Sequence, residues 1–220
     1  MLPGGDESKA EPLPDKCTVP LAAGDVLRMR TPGGGGWGPA PGSVSGLTVL
    51  GELDGSLVRI VDYDPAWPQR FESERARIAA ALGSVARRVD HVGSTAVPGL
   101  AAKPIVDIAV AVDDPEDDGA FLVALTRAGY VLRVIEPRHR LFRTPQRDVH
   151  VHLWSAGGEE ERDQLLFRDW LRTHDDDRAL YESVKRDLAS RDWGSMQDYA
   201  DAKTAVVSEI MDRARAASPD

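Results

Sequence analysis

The chain has 220 residues, which fits one domain with a tail or two small domains. Hydrophobic residues make up 42% and charged residues 29%, which excludes collagen-like and wholly disordered chains. A net charge of −9 argues against long-range steering to nucleic acid or to an anionic membrane, and no run approaches the ~18 apolar residues of a membrane span.

Residues 1–55 read as a flexible, Gly/Pro-rich tail. Residues 1–50 hold 10 of the 20 Gly and 7 of the 15 Pro. The run Pro32-Gly33-Gly34-Gly35-Gly36-Trp37-Gly38 suits neither a helix nor a strand interior. The start, MLPGGDESKA, lacks the basic and apolar regions of a secretory signal. Cys17 is the only cysteine; that excludes an internal disulfide and fits a reducing, cytoplasmic setting. One short strand candidate in the tail is Asp25–Arg30.

Residues 56–216 read as one compact domain. Leu57–Asp62 alternates apolar and polar residues, as an edge strand does. Asp64 caps and Pro65 begins a helix that runs to Leu82 and stops at Gly83, with Phe71, Ile78 and Leu82 as its apolar stripe. A strand over Val85–Val92 follows. Ile105–Val112 is almost unbrokenly apolar, as a central strand covered on both faces would be. Pro115–Ala128 predicts a helix closed by Gly129. Tyr130–Ile135, Arg140–Thr144 and Val149–Trp154 predict strands, the last two forming a hairpin across Pro145-Gln146-Arg147. Helices are expected over 159–173, 176–190 and 197–216. In the middle one, Leu180, Val184 and Leu188 share one face at a four-residue spacing.

The chemistry concentrates between residues 90 and 108. A strand ends in Gly93-Ser94, a loop with Thr95, Pro98 and Gly99 follows, and Lys103-Pro104 leads into the buried strand. Gly93 lets backbone approach a ligand closely. Ser94 and Thr95 offer hydroxyls and backbone N–H groups to phosphate oxygens; the plain alternative is a structural turn. His91 either orients this loop or packs as a core histidine. Asp107 interrupts the apolar strand, and a carboxylate there needs a pair, a hydrogen bond or a cation. Lys103 or an arginine would supply the pair. Alternation puts Asp107 and Ala109 on one face. It also puts Asp148, His150 and His152 on one face of the later strand. Arg138, Arg140 and Arg143 form a basic stretch able to clamp phosphate, or a solvated strand face. Arg168, Arg172, Lys185 and Lys203 on the C-terminal helices either reach the cleft or pair with nearby acids.

The block His91-Val92-Gly93-Ser94-Thr95-Ala96-Val97-Pro98-Gly99-Leu100-Ala101-Ala102-Lys103-Pro104-Ile105-Val106-Asp107-Ile108 resembles the hallmark of the GrpB family. The likeness extends through Tyr63–Pro68, Asp148–Leu153 and Leu166–Arg172 to Tyr199 and Lys203, covering residues 56–215. It implies membership of the nucleotidyltransferase superfamily. The implied fold is mixed α/β (α+β) and polymerase-beta-like, with a mixed central sheet and C-terminal helices. It implies a nucleotide or phosphorylated small molecule as partner; from the net charge and the lack of an apolar span, no DNA and no membrane are expected. Active members of that superfamily carry Gly-Ser, then two acids two residues apart on the next strand, then a third acid on a later strand. These hold two Mg²⁺ ions. Gly93, Ser94 and Asp107 match, but Ala109 stands at the second acid position and cannot ligate a metal.

The expected site therefore has Asp107 and Ser94 as catalytic residues. Gly93, Ser94, Thr95, Lys103 and Arg140 hold the ligand. Asp107 with His150 and His152 holds a divalent metal, Mg²⁺ or another, and imidazole favours zinc, manganese or iron. Nucleotidyl transfer to a small acceptor is one expectation. The other is a non-catalytic, chaperone-like or regulatory domain, as the resemblance suggests for such domains fused behind dephospho-coenzyme A kinases. In the tail, Ala23-Gly24-Asp25-Val26-Leu27 and Thr31–Gly38 resemble the C-terminal end of hydantoinase B. About 25 residues cannot build a core of their own, so no hydantoinase activity is expected of them.

Overall fold

The computed structural model describes residues 48–50, 58–191, 193 and 196–217. The strand expected at Asp25–Arg30 and the hydantoinase-like segment lie outside these. Six strands form one mixed sheet: β1 (Thr48–Val49), β2 (Arg88–Val92), β3 (Val106–Val112), β4 (Val131–Glu136), β5 (His139–Arg143) and β6 (Val149–Ser155), in the order β1-β4-β5-β6-β3-β2. The pairing of β3 with β6 is parallel and every other pairing is antiparallel. β1 belongs to the stretch read as tail, yet pairs with Val134 and Ile135 at the sheet edge.

Alternation along the strands separates two environments. Val106, Ile108, Val110 and Val112 of β3, Phe142 of β5 and Val149, Val151 and Leu153 of β6 point to one side. There they meet Phe71, Ile78 and Leu82 of α1 (Trp67–Leu82) and Phe121 and Leu125 of α2 (Asp118–Arg127). Ile108, Val110 and Phe142 are completely buried, and at ~25 cal/mol per Å² this face supplies most of the apolar stabilisation of the sheet. The opposite side of β3 and β6 carries Asp107, Ala109, His150, His152 and Trp154. Among the described residues Val92, Ala109 and Trp154 make a small apolar cluster there, with Leu165 laid over it from α3 (Glu159–Thr173).

α3, α4 (Asp175–Ala189), α5 (Met196–Ala202) and α6 (Thr204–Ala217) form a helical layer. Its core of Phe167, Leu171, Tyr181, Val207, Ile210 and Met211 also takes in Val97 and Leu100 from the loop after β2. That loop is the seam between layers. Arg168 donates to the His91 carbonyl at 3.0 Å, Arg172 grips the Ala96 carbonyl at 3.0 and 2.9 Å, and Glu182 accepts from the Ala101 N–H at 3.0 Å. Arg168 and Arg172 are thus clamps on the loop backbone. Among the described residues no helix is long and apolar enough to cross a membrane.

Several boundaries differ from the sequence reading. Of the strand expected at 57–62, residue 57 lies outside the described residues, and over 58–62 it reduces to a bridge between Val61 and Ala102. α1 starts at Trp67, because Asp64 spends its side chain on the Ala66 N–H at 2.8 Å in a turn ahead of the helix. A turn at Gly83–Val85 shortens the following strand. In α4 the buried positions are Asp177, Tyr181, Lys185 and Leu188, while Leu180 is exposed. A strict four-residue step drifts by about 40° per turn, so the true seam uses two steps of four and one of three. The last expected helix is broken between Ala202 and Thr204.

Candidate functional site

β2 ends where its backbone turns at Gly93, with φ 68°. In that conformation a side chain is strained. A Cβ built on Gly93 would also lie 2.6 Å from Asp107 Oδ2. Gly93 is therefore required by the approach of Asp107, and the loop and the acidic strand position form one site. Ser94 follows at the start of a single turn, Ser94–Ala96. Its hydroxyl accepts a hydrogen bond from Lys185 Nζ at 3.1 Å. Lys185 also donates to the Ala101 carbonyl.

Lys185 is almost fully buried on α4. Burial, reinforced by the charge of Lys203, pushes its ammonium pKa down to about 7. Lys103 Nζ and Lys203 Nζ lie 4.3 and 4.7 Å from the centre of the Tyr199 ring. The Tyr199 hydroxyl is buried with no hydrogen-bond partner among the described residues. Lys185 thus touches Ser94, and Lys103 and Lys203 flank the Tyr199 ring, in a chain of net charge −9. Such a concentration of donors and positive charge suits phosphate oxygens.

Asp107 meets His150 in the parallel β3–β6 register, and Ala109 meets His152. His150 Nδ1 is 3.3 Å and His152 Nε2 3.7 Å from Asp107 Oδ1. All three side chains are partly exposed, at 21%, 20% and 30% for His150, His152 and Asp107, so the site is open to solution. Burial alone would raise the Asp107 pKa, but the facing rings of His150 and His152 outweigh it and hold the carboxyl well below the usual range. Burial pushes His152 down to about 4. At neutral pH an ionised carboxylate therefore faces a neutral imidazole.

The separations are too long for good hydrogen bonds. They match donors around one ion: ligands ~2.1 Å from a tetrahedral metal stand ~3.4 Å apart. The nitrogen and oxygen ligand atoms of the three residues lie within 4.8 Å of one another. One carboxylate and two imidazoles suit zinc, manganese or iron better than Mg²⁺, and three protein ligands leave a position open for a substrate oxygen.

Behind His152 the contacts continue. His152 Nδ1 is 3.1 Å from His139 Nε2, and His139 Nδ1 is 2.8 Å from Glu136 Oε2. Asp107, His152, His139 and Glu136 make three contacts in a row, and the widest is the 3.7 Å gap between His152 and Asp107.

Other expected residues stand elsewhere. Arg140, expected to hold ligand, is on the α2 side of β5, because alternation puts it on the same face as Phe142. It is buried there against Asp118 at 2.9 Å and the carbonyls of Glu136 and His139. Arg138, in the turn between β4 and β5, pairs with Glu160. The Thr95 hydroxyl is turned inward to His91 Nε2 at 3.0 Å. His91 stacks on Phe71, and burial lowers its pKa to about 4, so it is a core histidine that also holds the loop. Asp148 lies before β6 and meets Thr144 and Arg70. Asp90, not singled out in the sequence, is the β2 neighbour of Ala109. Arg88 and Arg168 face its carboxylate at 2.7 and 3.6 Å, so it does not replace the missing acid. Glu136 and His139 also escaped the sequence reading. Their signal was the register of the β5–β6 hairpin, which puts His139 opposite Trp154.

The family model described as GrpB protein matches residues 57–213. A UPF0157 protein of Streptomyces coelicolor is 51% identical over 174 residues, covering 79% of this chain and 93% of that protein. A dephospho-CoA kinase of Mycolicibacterium paratuberculosis is 33% identical over 175 residues, covering 66% of this chain but 43% of that protein. The crystal structure of the conserved protein GrpB from Enterococcus faecalis superposes with a TM-score of 0.63 at 31% identity, covering 71% of this chain and 96% of that one. The matched span holds β2 to β6, the Gly93-Ser94 bend, Asp107 and both histidines of β6, and on this ground the chain belongs to the GrpB family.

Proposed function

We propose that this protein binds a nucleotide or another phosphorylated small molecule at the seam where the loop after β2 meets the sheet and the helical layer, with one divalent ion. Asp107, His150 and His152 hold the ion. Ser94 and Lys185 hold phosphate oxygens, and Lys103 and Lys203 neutralise further charge. The observation that carries this reading is the contact of Gly93 with Asp107. It joins a phosphate-suited loop to the metal-suited triad.

As a reaction, the site would serve nucleotidyl transfer to a small acceptor, which the resemblance to the nucleotidyltransferase superfamily implies. The ion would polarise the phosphoryl group. Ser94 and Lys185 would orient the phosphate and meet the charge that develops on it. Ala109 favours a second reading, a non-catalytic partner domain, because the missing acid leaves no place for the usual pair of Mg²⁺ ions. The similarity to part of a dephospho-CoA kinase supports this reading too.

Thermal unfolding with ATP, GTP or CTP and Zn²⁺, Mn²⁺ or Mg²⁺ tests the proposal. A ligand at 100 times its Kd adds about 2.7 kcal/mol of stability, and the largest shift is expected with Mn²⁺ or Zn²⁺ and a nucleotide together. No shift with any pair overturns the binding reading. Binding without pyrophosphate release, across a panel of small acceptors, selects the partner-domain reading.

A further inference from the structure

The arm behind His152 belongs neither to the phosphate loop nor to the three metal-suited side chains. Glu136 and His139 are register partners across the β4–β5 turn. His139 pairs with Trp154 and Leu141 with His152 across β5 and β6, which sets His139 diagonally beside His152 on the same face. The side chains of His139 and Glu136 are 16% and 26% exposed, so water competes little for their contacts. The His139, His152 and Trp154 rings lie nearly parallel. His139 is inclined 10° to His152, and His152 is inclined 6° to Trp154. Turning the His152 ring over would keep the stack but put Cδ2 in place of Nδ1 and lose the contact with His139.

The chemistry of the partners gives the hydrogen bonds a direction. A carboxylate only accepts, so Glu136 draws a proton of His139 to Nδ1. A ring carrying that one proton presents Nε2 as an acceptor, and it then receives the Nδ1–H of His152. The other nitrogen of His152, Nε2, is then left with a lone pair, and it points at Asp107 across 3.7 Å. A histidine ligand needs this orientation, with its second nitrogen donating to a fixed partner.

We propose that Glu136 and His139 are positioning residues that lock His152 in the Nδ1–H tautomer and aim its Nε2 lone pair at the space before Asp107. This rests on the metal reading above. It adds the device that makes His152 a ligand instead of a donor to Asp107. Removed from the arm, His152 is free to carry its proton on Nε2 and close that space by bonding Asp107 directly.

The test combines nitrogen–proton NMR of the imidazoles in the metal-free full-length chain with calorimetric titration of Zn²⁺ alone. Wild type is expected to show His152 protonated at Nδ1. His139→Phe keeps an aromatic ring in the stack but offers no acceptor; it should release the tautomer and weaken Zn²⁺ binding ten- to a hundredfold. Glu136→Gln still accepts from His139 through its amide oxygen and should lose less. Glu136→Ala carries the same test should His139→Phe fail to fold. An Nε2–H tautomer in metal-free wild type overturns the proposal whatever Zn²⁺ does. Tight Zn²⁺ binding by wild type that neither His139→Phe nor Glu136→Ala changes overturns the positioning role and leaves the metal reading standing. An Nδ1–H tautomer in a wild type that binds no Zn²⁺ overturns the metal reading alone.

Discussion

The two faces of the sheet treat charge differently. On the side of α1 and α2, Glu74 is fully buried, yet it accepts the Tyr130 hydroxyl and meets Arg77 and Arg70 at 2.5 and 3.1 Å. Arg140 on that side is closed by Asp118 and two carbonyls. On the other side Asp107 is less buried, but its facing partners are two imidazoles at 3.3 and 3.7 Å. Burial alone therefore does not set these carboxylates apart. The kind of partner does. A guanidinium or a phenol completes a carboxylate, whereas a neutral ring leaves it in want of a cation.

The strongest way to break this comparison is to cut into the packed face. Phe142 is completely buried and meets the Phe121 ring edge-on at 6.2 Å. Phe142→Ala should cost about 3–5 kcal/mol of stability in denaturant unfolding, while the folded fraction still binds Zn²⁺ normally. A loss of Zn²⁺ binding with stability intact would mean that the two faces are not separate in function. Asp107→Asn is the converse experiment. It should weaken Zn²⁺ binding at least tenfold, about 1.4 kcal/mol, and keep stability within about 1 kcal/mol of wild type. Unchanged affinity in calorimetry would remove Asp107 from the site.

The same contrast explains what the sequence could and could not convey. The run Val106–Val112 was legible as a central strand because both its faces are largely covered, and Asp107 stood out against it. The meeting of Asp107 with His150 and His152 needed only the alternation of two strands, once β3 and β6 were neighbours. Arg140 misled because basic residues in a strand show charge but not which side they face; its Asp118 partner is 22 residues away. Lys185 was seen as one of four cations, and nothing local distinguished it from Arg168 and Arg172, which like it hold carbonyls of the loop. Its contact with the Ser94 hydroxyl sets it apart. Glu136 and His139 depended on hairpin register, which single-residue patterns do not carry.

Lys185 gives the finest test, because its charge belongs to neither scheme: it is buried like Glu74 but, among the described residues, has no carboxylate in hydrogen-bond contact. Its pKa falls from 10.5 to about 7 in the fold. Between these values the unfolded chain holds a proton that the folded chain has released, so stability gains from rising pH, at up to about 1.4 kcal/mol per unit for one proton. Below about pH 7 both states are protonated and the full cost of the buried ammonium remains. Lys185→Met should remove this slope, which paired unfolding curves from pH 7 to 10 would reveal. Ligand binding reverses the preference. A phosphate beside Ser94 favours the protonated amine, so the affinity of wild type for pyrophosphate should fall severalfold as pH rises from 6 to 8.5. Pyrophosphate itself becomes more negative over that range, which pushes the other way, so Lys185→Met should bind weakly with a flat or rising profile. Parallel profiles in the two proteins would place the phosphate away from Lys185.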